Sequence, residues 1–280
     1  MPTLRYTLCD VFTDRPLSGN ALAVFTDAAS LDPDTMQAVA REMNLSESVF
    51  LLPPESGGHF RLRIFTPRRE VPFAGHPTLG AALLIGRSVA LGRLVLETGR
   101  GPIEVRIERG GDTPAFGWMS QPIPTILPLA SAGELLSALG LARSTLPIEL
   151  YDNGIRHALV GAEDSRLVAQ LTPDLGRLAS LPVETTCVFA AGDGTWKARV
   201  FAPAFGIAED PATGSAAGPL GWHLVRHERA AYDAELVIEQ GAEIARPSKL
   251  YVRVRGHAEV AHEIEVGGQA IVIGRGELRL

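Results

Sequence analysis

The chain has 280 residues, 46% of them hydrophobic and 21% charged, and a net charge of −6 at pH 7, enough for one large or two medium domains with buried cores. No basic cluster exceeds Arg68-Arg69, and no uninterrupted apolar run reaches about 18 residues, so neither a nucleic-acid partner nor a membrane span is expected. The N-terminus lacks a charged-then-apolar leader, and Cys9 and Cys187 stand far apart without a partner motif; they read as reduced core thiols of a cytoplasmic protein, with no zinc site.

Taken in chain order, Ser18-Gly19-Asn20-Ala21 reads as a turn, in which Asn20 either shapes the backbone or touches a ligand. Residues 32–43 predict an amphipathic helix with Pro33 in its first turn. Glu47 follows in Asn44-Leu45-Ser46-Glu47-Ser48, between that helix and an apolar strand. A carboxylate at the edge of an apolar strand is partly desolvated, which raises its pKa toward the value a general acid/base needs. Alone, the same residue is more often a solvated surface carboxylate, or a partner of Arg41 or Arg63.

Pro77 predicts a helix start with His76 at the cap position, and Pro211 predicts a second with Asp210 as N-cap. Small residues follow both, Gly80, Ala81 and Ala82 in one and Gly214, Ser215, Ala216 and Ala217 in the other, the composition of a helix buried all round. Each polar residue has a plainer alternative: Asp210 as a cap alone, His76 as a core histidine, Ser215 as a packing residue. Gln121-Pro122-Ile123-Pro124-Thr125 cannot be a central strand and predicts a crossover, 130–139 reads as another helix, and 270–278 as a strand pair. His223 and His227 share a helix face but lack a His-Glu-x-x-His pattern or a third ligand, and read as a surface-facing pair.

The two halves echo each other. Glu47-Ser48-Val49-Phe50-Leu51, then 60–67 ending Phe-x-Pro, then Gly75-His76-Pro77 match Thr186-Cys187-Val188-Phe189-Ala190, then 196–203 ending Phe-x-Pro, then Asp210-Pro211-Ala212. Three matches in one order indicate a duplicated unit of about 130 residues, too long for a solenoid repeat. Each half is expected to be a curved sheet around one buried helix, with two helix N-termini able to bind a carboxylate or an oxyanion. Phosphate-loop, dinucleotide-binding and nucleophile-elbow motifs are absent: Gly214-Ser215-Ala216-Ala217-Gly218 has its serine one position out of place.

Asp10-Val11-Phe12-Thr13-Asp14, Gly19-Asn20-Ala21-Leu22-Ala23-Val24-Phe25, Arg41-Glu42-Met43-Asn44-Leu45-Ser46-Glu47-Ser48, Phe73-Ala74-Gly75-His76-Pro77-Thr78 and Glu209-Asp210-Pro211-Ala212-Thr213-Gly214-Ser215-Ala216 together resemble the PhzF (phenazine biosynthesis-like) family over the whole chain. Gln121-Pro122-Ile123-Pro124-Thr125, Asn153-Gly154-Ile155-Arg156-His157 and 241–248 strengthen the likeness to its phenazine-pathway isomerase branch. The resemblance implies the α/β diaminopimelate epimerase-like fold: two pseudo-symmetric halves, each a curved β-barrel-like sheet around a central helix, with the active site in the cleft. The expected halves are 1–118 and 119–267, with a C-terminal strand, 268–280, available to return to the first.

The same resemblance implies a cytoplasmic homodimer that isomerises trans-2,3-dihydro-3-hydroxyanthranilate in phenazine biosynthesis, with no cofactor and no metal. Glu47 would carry the proton from C3 to C1. His76, Asp210 and Ser215 would hold the substrate, with Gly75 and Gly214 allowing close approach and Asn20 nearby. Another small cyclic or amino acid as substrate, or a binding protein without turnover, stand as alternatives. The family's Gly-Asn-Pro is Gly19-Asn20-Ala21 here, which alters the turn but keeps Asn20. A two-thiol epimerase is disfavoured, because neither cysteine lies at a predicted helix start.

Overall fold

A computed structural model of the chain describes residues 3–89, 91–108 and 115–280. In chain order its elements begin with β1 (Thr3–Val11), β2 (Asn20–Phe25), α1 (Pro33–Met43), β3 (Glu47–Leu52), β4 (Phe60–Phe65), β5 (Glu70–Val71), α2 (Gly75–Val89), β6 (Arg93–Thr98), β7 (Gly101–Glu108) and β8 (Phe116–Gln121). There follow β9 (Thr125–Leu127), α3 (Ala132–Leu139), β10 (Glu149–Asp152), β11 (Arg156–Gly161), α4 (Ser165–Gln170), α5 (Leu175–Ser180), β12 (Thr185–Ala191), β13 (Trp196–Ala202), β14 (Ile207–Asp210) and α6 (Gly214–Arg226). The chain closes with β15 (Glu235–Gln240), β16 (Ser248–His257) and β17 (Val260–Arg279). Two compact units result, Met1–Ser120 with Gly267–Leu280, and Gln121–Val266.

In the first unit, β1 pairs antiparallel with β17 and with β2, and β2 runs parallel to β3. β3 pairs antiparallel with β4, β4 runs parallel to β6, β6 and β7 are antiparallel, as are β7 and β8, and β8 pairs with β17. The eight strands β17-β1-β2-β3-β4-β6-β7-β8 therefore close into a barrel, which leaves no free edge among them. Helix α2 packs against β1, β2, β3, β6 and β7. A helix placed there has no solvent side, which is why residues 73–83 are buried without a break. Gly80 is the point of closest approach: a Cβ on it would lie 2.6 Å from Val11 Cγ2 and 2.7 Å from Leu22 Cδ2.

The strand pattern follows from burial on both faces. Alternate residues point to opposite sides of a strand, so Leu22, which meets α2, shares its side with the cross-strand neighbour Glu47. The other side carries Ala23, Phe25, Phe50 and Phe65, which pack with Met36, Val39 and Ala40 of α1. Phe25 and Phe50 stack with ring centroids 4.8 Å apart, and Phe65 meets Phe50 edge-on at 5.5 Å. Helix α1 starts at the N-cap Asp32, whose carboxylate accepts from the Thr35 N–H, and stops at Asn44 in the left-handed region.

The pairing order of the second unit repeats that of the first. β10 and β11 are antiparallel, β11 and β12 parallel, β12 and β13 antiparallel, β13 and β14 antiparallel, β13 and β15 parallel, and β15 and β16 antiparallel. Helix α6 packs on β16 and β11, and residues 214–225 are all buried. On its own side, a second core gathers Leu135, Leu139, Val168, Leu178, Val188 and Phe201 from α3, α4, α5 and the strands.

Four sequence expectations are corrected. Helix α6 starts at Gly214, so Pro211 lies before it and Asp210 is the last residue of β14, not an N-cap; the position before the helix is Thr213. His76 is the second residue of α2 and not a cap. Aligning the two helix starts, Gly75 with Gly214, therefore matches His76 with Ser215 rather than with Asp210. The expected C-terminal strand pair is one long strand, β17, whose residues from Thr3's partner Arg279 back to Val11's partner Ala270 line β1.

Candidate active site

Glu47, His76 and Asn20 come together in the first unit. Asn20 opens β2 and Glu47 opens β3, while His76 lies in the first turn of α2. The turn before Asn20 is set by Gly19 at φ +66°, where a Cβ would sit 2.3 Å from the Val11 carbonyl oxygen, so only glycine fits. His76 Nδ1 lies 3.2 Å from Asn20 Nδ2 and 3.5 Å from Glu47 Oε2. All three residues are buried.

Burial pushes the His76 pKa from its ordinary 6.5 down to about 3, against a backbone contact with Ala21 that favours the charged ring. The ring is therefore neutral near pH 7. Nδ1 is the ring nitrogen that faces both the Asn20 amide and the Glu47 carboxylate. Nε2 is buried and makes no hydrogen bond among the described residues. A neutral imidazole thus stands beside a buried carboxylate, a pairing suited to binding a substrate group while the carboxylate moves a proton.

Asp210, Gly214 and Ser215 come together in the second unit, around the start of α6. Asp210 Oδ2 accepts from Thr213 Oγ1 at 2.6 Å, and its backbone carbonyl accepts from Gln240 Nε2 at 2.6 Å. Gln240 Oε1 accepts from the Thr213 N–H at 3.1 Å, so one amide holds both sides of the loop. Gln121 Nε2 donates to the Gly214 carbonyl at 2.6 Å and Asn153 Nδ2 to the Ser215 carbonyl at 2.8 Å. The sequence reading named neither amide as a site residue. The available signals were Asn153-Gly154, a hairpin-turn pair between β10 and β11, and Gln121 beside two prolines.

His223 and His227 are corrected from a surface pair to members of a half-buried network in which His223 is the buried member. His223 is fully buried and packs against Tyr151 and Phe189. Glu149 Oε2 accepts from Tyr151 Oη and Arg226 Nη1, both at 2.8 Å, and lies 3.1 Å from His223 Nδ1 and from His227 Nε2. Burial raises the Glu149 pKa, but hydrogen bonds from His227 and Tyr151 and the Arg226 charge outweigh it and hold the carboxyl down at about 2. Glu149, His223 and His227 place one potential ligand atom each within 4.8 Å of one another. Arg226 already brings a positive charge to the oxygen a metal would take, so the residues do not suit a cation.

Cys9 and Cys187 are both buried and free. Burial pushes each thiol up to about 12, with the Asp10 charge adding to the effect at Cys9. Neither supplies a thiolate near neutral pH, which removes the chemistry a two-thiol epimerase needs.

A family model described as phenazine biosynthesis-like protein matches residues 9–276. The chain belongs to the PhzF family. Its enzyme class follows from relatives such as the trans-2,3-dihydro-3-hydroxyanthranilate isomerase of Pseudomonas fluorescens, 46% identical over 275 residues, 98% of this chain and 99% of that protein. The chain is an isomerase. Among solved structures, the PhzF-family phenazine biosynthesis protein of Bacillus anthracis superposes with a TM-score of 0.88 at 25% identity, covering 100% of both chains. A hydroxyproline epimerase from Agrobacterium vitis shares the fold, with a TM-score of 0.72 at 13% identity over 99% of this chain and 92% of its own. PhzF membership thus agrees with the duplicated, epimerase-like architecture.

Proposed function

We propose that this PhzF-family isomerase converts trans-2,3-dihydro-3-hydroxyanthranilate to its keto isomer by moving one proton, with Glu47 as the sole acid/base. The observation that carries the reading is the buried Glu47 carboxylate, 3.5 Å from a neutral His76 ring, in a chain 46% identical over 275 residues to the isomerase of Pseudomonas fluorescens. The Glu47 carboxylate takes the proton from C3, the double-bond electrons shift along the ring, and the carboxylic acid returns a proton at C1. Protons and electrons balance within the substrate, so no oxidant, metal or cofactor enters. The enol formed then relaxes to the ketone.

His76, Asp210 and Ser215 hold the substrate's carboxylate, amino and hydroxyl groups, and Gly75 and Gly214 let its atoms approach the backbone. Asn20 acts on the substrate side through His76. We place the protein in the cytoplasm as a homodimer, feeding a condensation of two product molecules toward the phenazine skeleton and so antibiotic biosynthesis. Sedimentation at micromolar concentration is expected to give twice the 29.9 kDa chain mass.

Replacing the carboxylate by its amide isolates the proton transfer. Glu47→Gln is expected to lower kcat by at least about 1000-fold while substrate still binds, the scale a positioned acid/base supplies. Binding is read by calorimetry and turnover by the ultraviolet change of the substrate. In heavy water, solvent deuterium should appear at C1 of the product as the Glu47 acid exchanges its proton, and partial retention of the C3 hydrogen there marks a shielded shuttle. Near-normal turnover by the amide variant would remove Glu47 from the mechanism.

A further inference from the structure

Helix α6 contains a proline, Pro219, in its second turn. A proline has no N–H, so the carbonyl four residues earlier loses its helical donor. That carbonyl belongs to Ser215. It is buried and would be left without the bond the helix normally supplies. The Asn153 side chain fills the gap: its Nδ2 donates to the Ser215 carbonyl at 2.8 Å, and Asn153 is 0% exposed.

The internal repeat provides the comparison. With Gly75 matched to Gly214, Gly80 of α2 matches Pro219 of α6, and Gly80 retains its N–H. Asn153 is itself rigidly held, between Asp152, whose carboxylate accepts from the Gly154 N–H at 2.8 Å, and the start of β11. Farther along β10, Tyr151 and Glu149 hold the other end of α6 through His223, Arg226 and His227.

We infer that Asn153 is a positioning residue for Ser215, fixing the first turn of α6 through the carbonyl that Pro219 frees. The inference rests on the proposed role of Ser215 in substrate binding. Ser215 must present its hydroxyl from the exact turn whose backbone bond the proline removes; without Asn153, that turn is free to unwind or to tilt toward another donor.

The test is a rescue. Asn153→Ala is expected to lower kcat/KM for trans-2,3-dihydro-3-hydroxyanthranilate about tenfold, the scale of one buried hydrogen-bond partner removed. Adding Pro219→Ala restores the N–H within the helix, and kcat/KM should return to within about threefold of the parent. The urea midpoint of the double variant should also recover most of what Asn153→Ala loses. In a Ser215→Ala background, Asn153→Ala should lower kcat/KM no further. A double variant no better than Asn153→Ala, or an Asn153→Ala enzyme with normal kcat/KM, overturns the inference. If Asn153→Ala does not fold, a double variant that folds and turns over supports it, and one that also fails to fold overturns it. Should the parent protein leave this substrate unchanged, the substrate reading fails, while the urea midpoints still decide whether Asn153 replaces the missing N–H.

Discussion

At the scale of single residues, the His76 ring shows how burial selects a chemical form. Burial excludes the imidazolium near pH 7, and the Asn20 amide, 3.2 Å from Nδ1, holds the ring beside Glu47. Removing that amide leaves the ring without this anchor. Asn20→Ala is expected to lower kcat/KM by about tenfold and to destabilise the fold by about 1–3 kcal/mol, since a buried ring nitrogen loses a hydrogen-bond partner. Nitrogen chemical shifts of the His76 ring should differ between the parent and the variant. An unaltered ring spectrum would mean that another group holds the ring. Asn20 was legible as a turn residue or a ligand contact but not as the partner of His76, because that task depends on a histidine 56 positions away.

At the scale of elements, periodicity carried the reading well wherever one helix or strand explained itself. The α1 pattern, its Asp32 cap and the small-residue composition of the two buried helices all predicted the elements observed. Where helix chemistry depended on the surrounding fold, sequence reasoning slipped. Pro211 has the look of a first-turn proline, yet α6 begins three residues later, because the Gln240 amide holds 210–213 as a loop. His223 and His227 were read as exposed because an i, i+4 pair gives no hint of a Glu149 lying 74 residues upstream of the first. The burial of α2 has its own test. Gly80→Val would drive a side chain into Val11 and Leu22, whose atoms stand 2.6 and 2.7 Å from the new Cβ. The expected loss is about 1–3 kcal/mol in urea unfolding, typical of overpacking. A variant as stable as the parent would show that α2 can move away from β1 and β2.

At the scale of the whole molecule, the duplication was legible in the order of its motifs, but the register was not. Matching Pro77 with Pro211 paired His76 with Asp210, whereas the helix starts pair His76 with Ser215. Sequence similarity between repeats decays fastest at positions that have acquired different functions, so the divergent site residues were the poorest guides to alignment. The two halves nonetheless share one physical consequence, the burial of neutral histidines. Desolvation lowers His76 to about 3 and both His157 and His223 to about 4, from an ordinary 6.5. Between those values, the unfolded chain binds protons that the folded protein does not. Stability must therefore rise with pH through this window, and be lost as pH falls from about 6.5 toward about 4. Each histidine contributes a slope of up to about 1.4 kcal/mol per pH unit. Glu149, held near 2 from an ordinary 4.5, adds a second loss of the same sign below pH 4.5. Urea midpoints measured from pH 7 down to pH 4 should fall steadily, with proton uptake on unfolding approaching about three near pH 5 from the histidines alone. A midpoint that stays flat between pH 6.5 and 5 would mean that these rings gain their protons in the folded protein as readily as in the unfolded chain.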